Sequence, residues 1–521
     1  MRVAVVGSGV SGLASTWLLN EHSNHEVHLY EADDRPGGHA NTVRFPSENG
    51  GVDVDSGFIV FNPCTYPNFL SFLKMRPAVP IAPTEMTFSV SRDHGKFEWA
   101  GDTIFTVFCQ PWRLIDPNMW RMLYDVLRFN ACAQTLVAKW NSGASEFEEI
   151  SIGEYLDKEG YSQFFRDNYL IPMTAAIWST PPDKCALDFP ARTLIQFMHN
   201  HHLLQITGKP SWLTIPGGSH QYVKTILSSL PASQLHLSTP VVSIRNKGSL
   251  VELTTASGES SFYDHVVLAC HSDVALSILR AGGGVTKDEE TILGMFEWNK
   301  NVVVVHNDVR LMPKARSAWS CWNYLTYTEV DDDGKQKANV DRVSLTYGMN
   351  DLQHISEEDH GPVLVTLNPP FEPSTNFGRY DYEHPVLDSK AVRAQELMSK
   401  IQGKRNISYA GAWLRYGFHE DGWTSGLLAA STYAPVLKPT VQLPFEIQYT
   451  EDNTSERGKN SCGSYHHGRK DHGGINGVEW LAFFFKVFES TGLRAVTGLV
   501  LGTTLSWAIR VFNLCGFNLD L

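Results

Sequence analysis

Three glycines near the start of the chain, Gly7, Gly9 and Gly12 in VAVVGSGVSGLASTWLLNE, are spaced for chemistry with a phosphate. An apolar run leads into the first glycine and a helical pattern leaves the last. Gly7 permits the tight turn. Gly9, with Ser11 beside it, lets backbone N–H groups approach a pyrophosphate, and Gly12 lets helix and strand pack closely. The helix N-terminus adds the partial positive charge that holds an anion. The next apolar run, EVHLYE, ends at Glu31, nineteen residues beyond Gly12. A carboxylate there accepts hydrogen bonds from ribose hydroxyls and disfavours a 2′-phosphate, so NADP is not the expected occupant.

The stretch RPGGHANT (35–42) separates FAD from NAD. In a plain NAD domain the chain crosses from the second strand to the next helix. Here Gly37 and Gly38 interrupt it, and their N–H groups suit the second phosphate or the ribityl chain. A second such stretch, ISYAGAWLRYGFHEDGWTSGLLAA, starts at Ile407. It reads as a strand (407–410), Gly411, a loop, and a helix beginning near Asp421. Helical N–H groups placed this way can face the electron-rich N1/O2 edge of a flavin. His419 and Glu420 are the catalytic candidates in this stretch. His419 is either a proton acceptor near neutral pH or a structural hydrogen-bonding group.

Together these stretches resemble the superfamily of flavin-containing amine oxidases, protoporphyrinogen oxidases and carotenoid desaturases. Its first motif reads R-x-G-G-R, and His39 stands here at the second arginine. Its closing motif reads A-G-x…G-Y-x-E-G-A-x-x-S-G. Gly411, Gly417, Glu420, Ser425 and Gly426 match that frame, while Ala412 and Asp421 depart from it. The motifs GGHANT, VDSGFIVFN, SLTYGMNDLQ and GFHEDG, in this order, are similar to those of a group of NAD/FAD-binding proteins linked with lipid modification.

The resemblance implies a fold, a cofactor and a reaction. The fold is α/β, with a Rossmann-like FAD-binding domain of the GR2 type built from 1–75, 205–275 and 405–440. An α+β substrate domain (76–204 and 276–404) is inserted. FAD is implied as a noncovalent cofactor, because no cysteine tether precedes Gly411 and Cys462 lies after the motif. Its binding residues would be Gly7, Gly9, Ser11, Gly12, Glu31, Gly37, Gly38, His39, Val242, Gly411, Glu420 and Asp421. Val241 and Val242 would touch the adenine through their backbone. The implied reaction passes a hydride from an apolar, lipid-like or secondary-metabolite substrate to flavin N5, by C–C dehydrogenation or isomerisation. O₂ or another acceptor would reoxidise the flavin. Oxidation of a C–N bond is the alternative, for which Lys300 is the lysine to consider, as is a non-catalytic flavoprotein partner of a lipid-modifying enzyme.

Composition bounds these readings. A net charge of −13 over 521 residues, with no basic run, argues against nucleic acid. The eight cysteines form no CxxC pair, and His466, His467 and His472 match no closed metal site, so no metal is expected. A strand starting at Val3 leaves no room for a signal peptide, which implies a cytoplasmic protein. Trp178, Trp212, Trp319, Trp322, Tyr324, Tyr347 and Trp413 are core residues or the walls of an apolar tunnel. A polar stretch at 331–339 reads as an exposed hairpin loop. Residues 446–477 read as a flexible linker and 478–521 as a hydrophobic tail. The uncharged run 495–509 is fifteen residues long, and a span needs about 20. The tail is therefore a buried helix or a membrane contact at the interface.

Overall fold

Five short apolar runs associate side by side: β1 (Arg2–Val6), β2 (Glu26–Tyr30), β3 (Leu235–His236), β4 (His265–Leu268) and β5 (Ile407–Tyr409). The computed structural model describes residues 1–143, 147, 150–179, 187, 189–205, 211–330, 336–338, 343–448 and 477–514. The strand order is β3-β2-β1-β4-β5, and every neighbouring pair is parallel. Such a sheet is covered on both faces, so its strands are continuously apolar. In β1, Val3 and Val5 pack with Leu13 and Trp17, whereas Ala4 and Val6 belong to the cluster of Tyr30 and Tyr263. Three distant stretches of chain thus supply one sheet.

Helix α1 (Val10–Glu21) follows β1, α2 (Pro67–Lys74) comes later, and α3 (His419–Ala430) follows β5. Helices α1 and α3 touch through residues with almost no side chain. A Cβ on Gly426 would lie 2.1 Å from the Ser11 carbonyl oxygen, and one on Gly422 would lie 2.5 Å from Val10 Cγ1. Ser15 Oγ donates to the Gly426 carbonyl at 2.8 Å. Further along, the fully buried rings of Trp17 and Trp423 sit 5.6 Å apart. The contacts pair Val10 with Gly422 and Ala14 with Gly426, so the helices run in the same direction with their N-terminal turns side by side.

A second, seven-stranded sheet has the order 378–386, 297–306, 364–367, 344–348, 322–326, 88–92, 97–100. All its pairs are antiparallel except that of Trp322–Thr326 with Phe88–Arg92. The long helix Pro117–Asn141, capped by Asp116 through the Asn118 N–H, packs Met122, Phe129 and Val137 into the core beside it.

The sequence places the start of α3 at Asp421, but the helix begins at His419. Asp421 Oδ2 accepts the Phe418 N–H at 3.0 Å and so fixes the cap two residues earlier. Of the polar stretch at 331–339, Gln336–Ala338 pairs antiparallel with Thr328–Val330, and the rest lies outside the described residues. The linker reading at 446–477 also falls almost wholly outside them, as do Cys462 and the three tail histidines. The tail itself forms α4 (Gly477–Ser490) and α5 (Leu493–Leu514). Among the described residues, no helix is long and apolar enough to cross a membrane.

The close α1–α3 contact predicts that Gly426→Ala lowers stability by about 1–3 kcal/mol, as forced overpacking does. Gly498→Ala, in open space on α5, should not lower the urea midpoint, since alanine is the better helix former there.

Candidate functional site

At the N-terminus of α1, the N-cap Gly9 has extended backbone (φ −61°, ψ 177°) and no side chain caps the first turn. The leading N–H groups of a helix have no partner within it. A Cβ on Gly9 would meet nothing within 4 Å, so these amides open onto space rather than protein. The flanking glycines are needed for a different reason. Gly7 has φ +99°, and a Cβ on Gly12 would lie 1.8 Å from the Gly7 carbonyl oxygen.

The RPGGH loop lies back on this turn. Gly37 (φ +112°) donates its N–H to the Ser8 carbonyl, and Arg35 binds the Gly38 carbonyl at 2.9 Å. A Cβ on Gly38 would come 3.1 Å from Gly9 Cα. Glu31 stands at the end of β2, its Oε2 accepting the Ser8 N–H and hydroxyl at 2.8 and 2.5 Å and its Oε1 the Asp33 N–H. Val242 is the residue skipped where the ladder between 241–247 and 250–255 slips register, and it is exposed. Gly411 donates its N–H to Ser425 Oγ at 2.9 Å, and a Cβ on it would strike the buried Trp413 ring.

His39 stacks on Tyr382 with ring centroids 4.6 Å apart, and His384 lies edge-on at 5.3 Å. Burial, then the charges of His384 and His271, push its pKa well below the ordinary histidine value. It is therefore neutral where the family motif has an arginine. Its Nε2 is buried with no hydrogen-bond partner. Tyr382 is fixed in turn by Asn41 Nδ2 (2.9 Å) and Ser56 Oγ (2.7 Å). Pro385, on the same strand, packs against Gly417 in the loop before α3.

Both catalytic candidates take other work. His419 stacks on Phe58 at 3.7 Å, meets Phe69 edge-on and bonds the Tyr222 hydroxyl through Nε2 at 2.9 Å. Burial lowers its pKa to about 3. Its ring is held as a neutral imidazole with a structural hydrogen bond, because the apolar rings around it cannot solvate an imidazolium. Glu420 accepts the N–H groups of Asn68 (2.8 Å) and Phe69 (2.9 Å), which caps the N-terminus of α2. Burial outweighs these two donors and leaves its carboxyl raised to about 8. Its carboxylate is committed to α2, and Asp421 caps its own helix.

Lys300 faces outward, its side chain 86% exposed and 3.7 Å from Glu383. Asn299 and Asn301, either side of it, are buried on the opposite face. Sequence reasoning missed them, together with Tyr382 and His384. The available signal was two asparagines at a spacing of two in an otherwise apolar strand. Trp178 donates to the Tyr416 carbonyl (3.3 Å), and Phe197 packs on Trp178, Tyr416 and Phe418. An aromatic wall therefore stands against the loop that leads into α3. Among the described residues, no group of His, Cys, Asp or Glu is arranged to hold a metal ion.

These residues fit a dinucleotide. Two helix N-terminal turns stand side by side, one opens on space at a glycine, and a buried imidazole nitrogen beside them lacks a partner. Solved structures share the fold. They include a CLA-producing fatty acid isomerase from P. acnes (14% identity, TM-score 0.55, covering 82% of this chain and 97% of that one). Cyclohexylamine oxidase from Brevibacterium oxydans IH-35A (15%, 0.55, 84% and 99%) and a redesigned putrescine oxidase (15%, 0.55, 82% and 98%) are also similar. No curated protein matches by sequence. The family model of the flavin containing amine oxidoreductases matches residues 10–306, more than half of the chain. The protein belongs to this family of FAD-dependent oxidoreductases.

Two outcomes follow. Gly9→Val has room for its side chain and should fold normally while losing the visible absorbance of bound flavin, read on the purified protein. His419, with a folded pKa below its unfolded 6.5, contributes stability above pH 6.5 that is lost as pH falls toward 3. Between pH 7.5 and pH 5, the stability difference between wild type and His419→Phe should therefore shrink by about 2 kcal/mol in urea titrations.

Proposed function

We propose that the protein is a noncovalent FAD enzyme that oxidises or isomerises an apolar, lipid-like substrate at carbon. The observation that carries the reading is the side-by-side placement of the α1 and α3 N-terminal turns. The all-parallel sheet beneath them supports a Rossmann-like dinucleotide domain, with the second sheet as the substrate domain. The amides of α1 and the Gly38 N–H would hold the phosphates, since the Gly37 N–H is spent on Ser8; Glu31 would hold the ribose and the backbone at Val242 the adenine. When bound, the flavin supplies a two-electron acceptor for a substrate hydride. The chain's own part is to place the substrate and keep water out, which suits the wall of Trp178, Phe197, Tyr416 and Phe418. The outward-facing Lys300 favours carbon chemistry, and the name of the fatty acid isomerase agrees with it. C–N oxidation is the second reading, supported by the two structurally similar amine oxidases.

The tail extends the reading to a membrane surface. Helix α4 rests on the helix Pro117–Asn141 through Phe485 and Ala482, and its other side exposes Trp480, Phe483 and Phe484. Val496, Leu499, Val500 and Trp507 of α5 are also exposed, as are Phe105, Trp112 and Leu114 of the body. α5 contacts the 111–115 turn, so tail and body residues share one face. Aromatic and aliphatic side chains of this kind suit shallow insertion beneath lipid headgroups, where an apolar substrate would be delivered.

Anaerobic mixing with C18 unsaturated fatty acids should bleach the flavin or return an isomerised product. Bleaching by amines alone, with peroxide released in air, would overturn the carbon-chemistry reading. On phosphatidylcholine vesicles, the protein should float with the lipid and the F483D/F484D/W507D variant should not. Equal flotation would remove the membrane assignment.

A further inference from the structure

The Glu297–His306 and Gly378–Val386 strands place Asn301 opposite Tyr382 and Asn299 opposite His384. A chain of amides runs between them, and each amide is oriented by its partners. The Val302 N–H donates to Asn368 Oδ1 at 2.8 Å, leaving Asn368 Nδ2 to donate to Asn301 Oδ1 at 2.7 Å. Asn299 Nδ2 donates to the Ser179 carbonyl (3.1 Å) and to the same Asn301 Oδ1 (3.2 Å). Asn301 Oδ1 therefore accepts twice, and Asn301 Nδ2 is left 2.7 Å from His384 Nδ1. An amide nitrogen can only donate, so the Nδ1 that receives its bond carries no proton. The proton of the neutral ring sits on Nε2.

His384 is half-buried, and no described residue accepts a hydrogen bond from its Nε2. Its ring adjoins His39, which follows the Gly38 that packs on the N-cap of α1. The next residue, Pro385, packs on the loop before α3. His384 thus stands between the two stretches that would hold the cofactor. The charged groups beside it form a separate cluster. Glu383 faces the other way and binds His271 and Lys300.

We propose that His384, locked by Asn301 as the Nε2–H tautomer, is a neutral hydrogen-bond donor at the flavin site that serves an acceptor atom of the flavin ring or of the substrate. Asn301 is its positioning residue. Burial, followed by the charge of His271, lowers the His384 pKa to about 4, which keeps the ring uncharged at neutral pH. Such an imidazole steadies partial negative charge without transferring its proton.

The proposal rests on the flavin-site reading above, and the experiment separates the two. ¹⁵N NMR of the histidine-labelled protein reports the tautomer whether or not flavin binds. The wild type should show His384 as Nε2–H. In Asn301→Asp, whose carboxylate accepts where the amide donated, the proton should move to Nδ1. His384→Gln and His384→Phe then distinguish the source of the acceptor. If it is the flavin, loss of the donor should shift the reduction equilibrium of the bound flavin about tenfold toward oxidised, about 30 mV lower for a two-electron couple, and Gln should recover part of this. If it is the substrate, the potential should stay constant and spectral titration with oleate should weaken about tenfold. A wild-type Nδ1–H tautomer, or variants that alter neither potential nor oleate binding, would overturn the proposal. A folded protein that takes up no FAD would overturn the flavin-site reading instead.

Discussion

The structure depends on one constraint: α1 and α3 approach so closely that no side chain fits between their first turns. Gly422 and Gly426 face Val10 and Ser11 across a gap that a single methyl group would close. Residues more than four hundred positions apart are held there in fixed register. Both helices follow parallel strands of one sheet, so their positive ends point the same way. Two partial charges of about half an electron each, aligned side by side, repel one another across a low-dielectric contact. The arrangement is most favourable with an anion in front of it, which explains why an uncapped glycine N-terminus persists where serine or aspartate would stabilise the helix better.

Around that point the buried ionisable groups are held neutral or are committed to helix ends. His39, His384 and His419 all have pKa values pushed below the ordinary range by burial. Glu420 spends its carboxylate on α2 and Asp421 on α3. Lys300 and Glu383 turn outward and pair with each other, and Arg35 is engaged with the Gly38 carbonyl. A site made this way offers hydrogen bonds without fixed charge. It suits the apolar part of a substrate, and an ionised headgroup keeps its hydration only where it stays outside these buried groups.

The glycine motifs were legible in the sequence because their requirement is local. A positive φ or a backbone approach of a few ångströms allows only one residue type, at a spacing set by a single turn of helix. Strands β1, β2 and β5 were legible for a similar reason, as short apolar runs beside glycine turns. The contacts of His419 and Glu420 were not legible, because they are set by distant residues. Phe58, Tyr222 and the first turn of α2 decide them, and nothing in GFHEDG reveals those neighbours. Val242, His384 and Asn301 lie between these cases. Their strands can be recognised, but which face each residue takes depends on register, and a shift of one would have turned Lys300 inward and both asparagines out.

That register has a chemical consequence. A lysine at this position on the inner face would bring a titratable ammonium beside the buried asparagines and His384. The strand instead presents asparagines, whose amides neither ionise nor exchange roles once backbone groups have oriented them. Each link in the chain from Val302 to Asn368, Asn301 and His384 is set by the one before it, so a main-chain N–H determines which nitrogen of a distant imidazole bears a proton. Rigid polar networks are favourable only when every member is satisfied. Here the Asn368 and Asn301 amide oxygens both accept hydrogen bonds, and the chain ends on the imidazole N–H. A network that ends on an imidazole donor places that donor with the precision of the strands themselves.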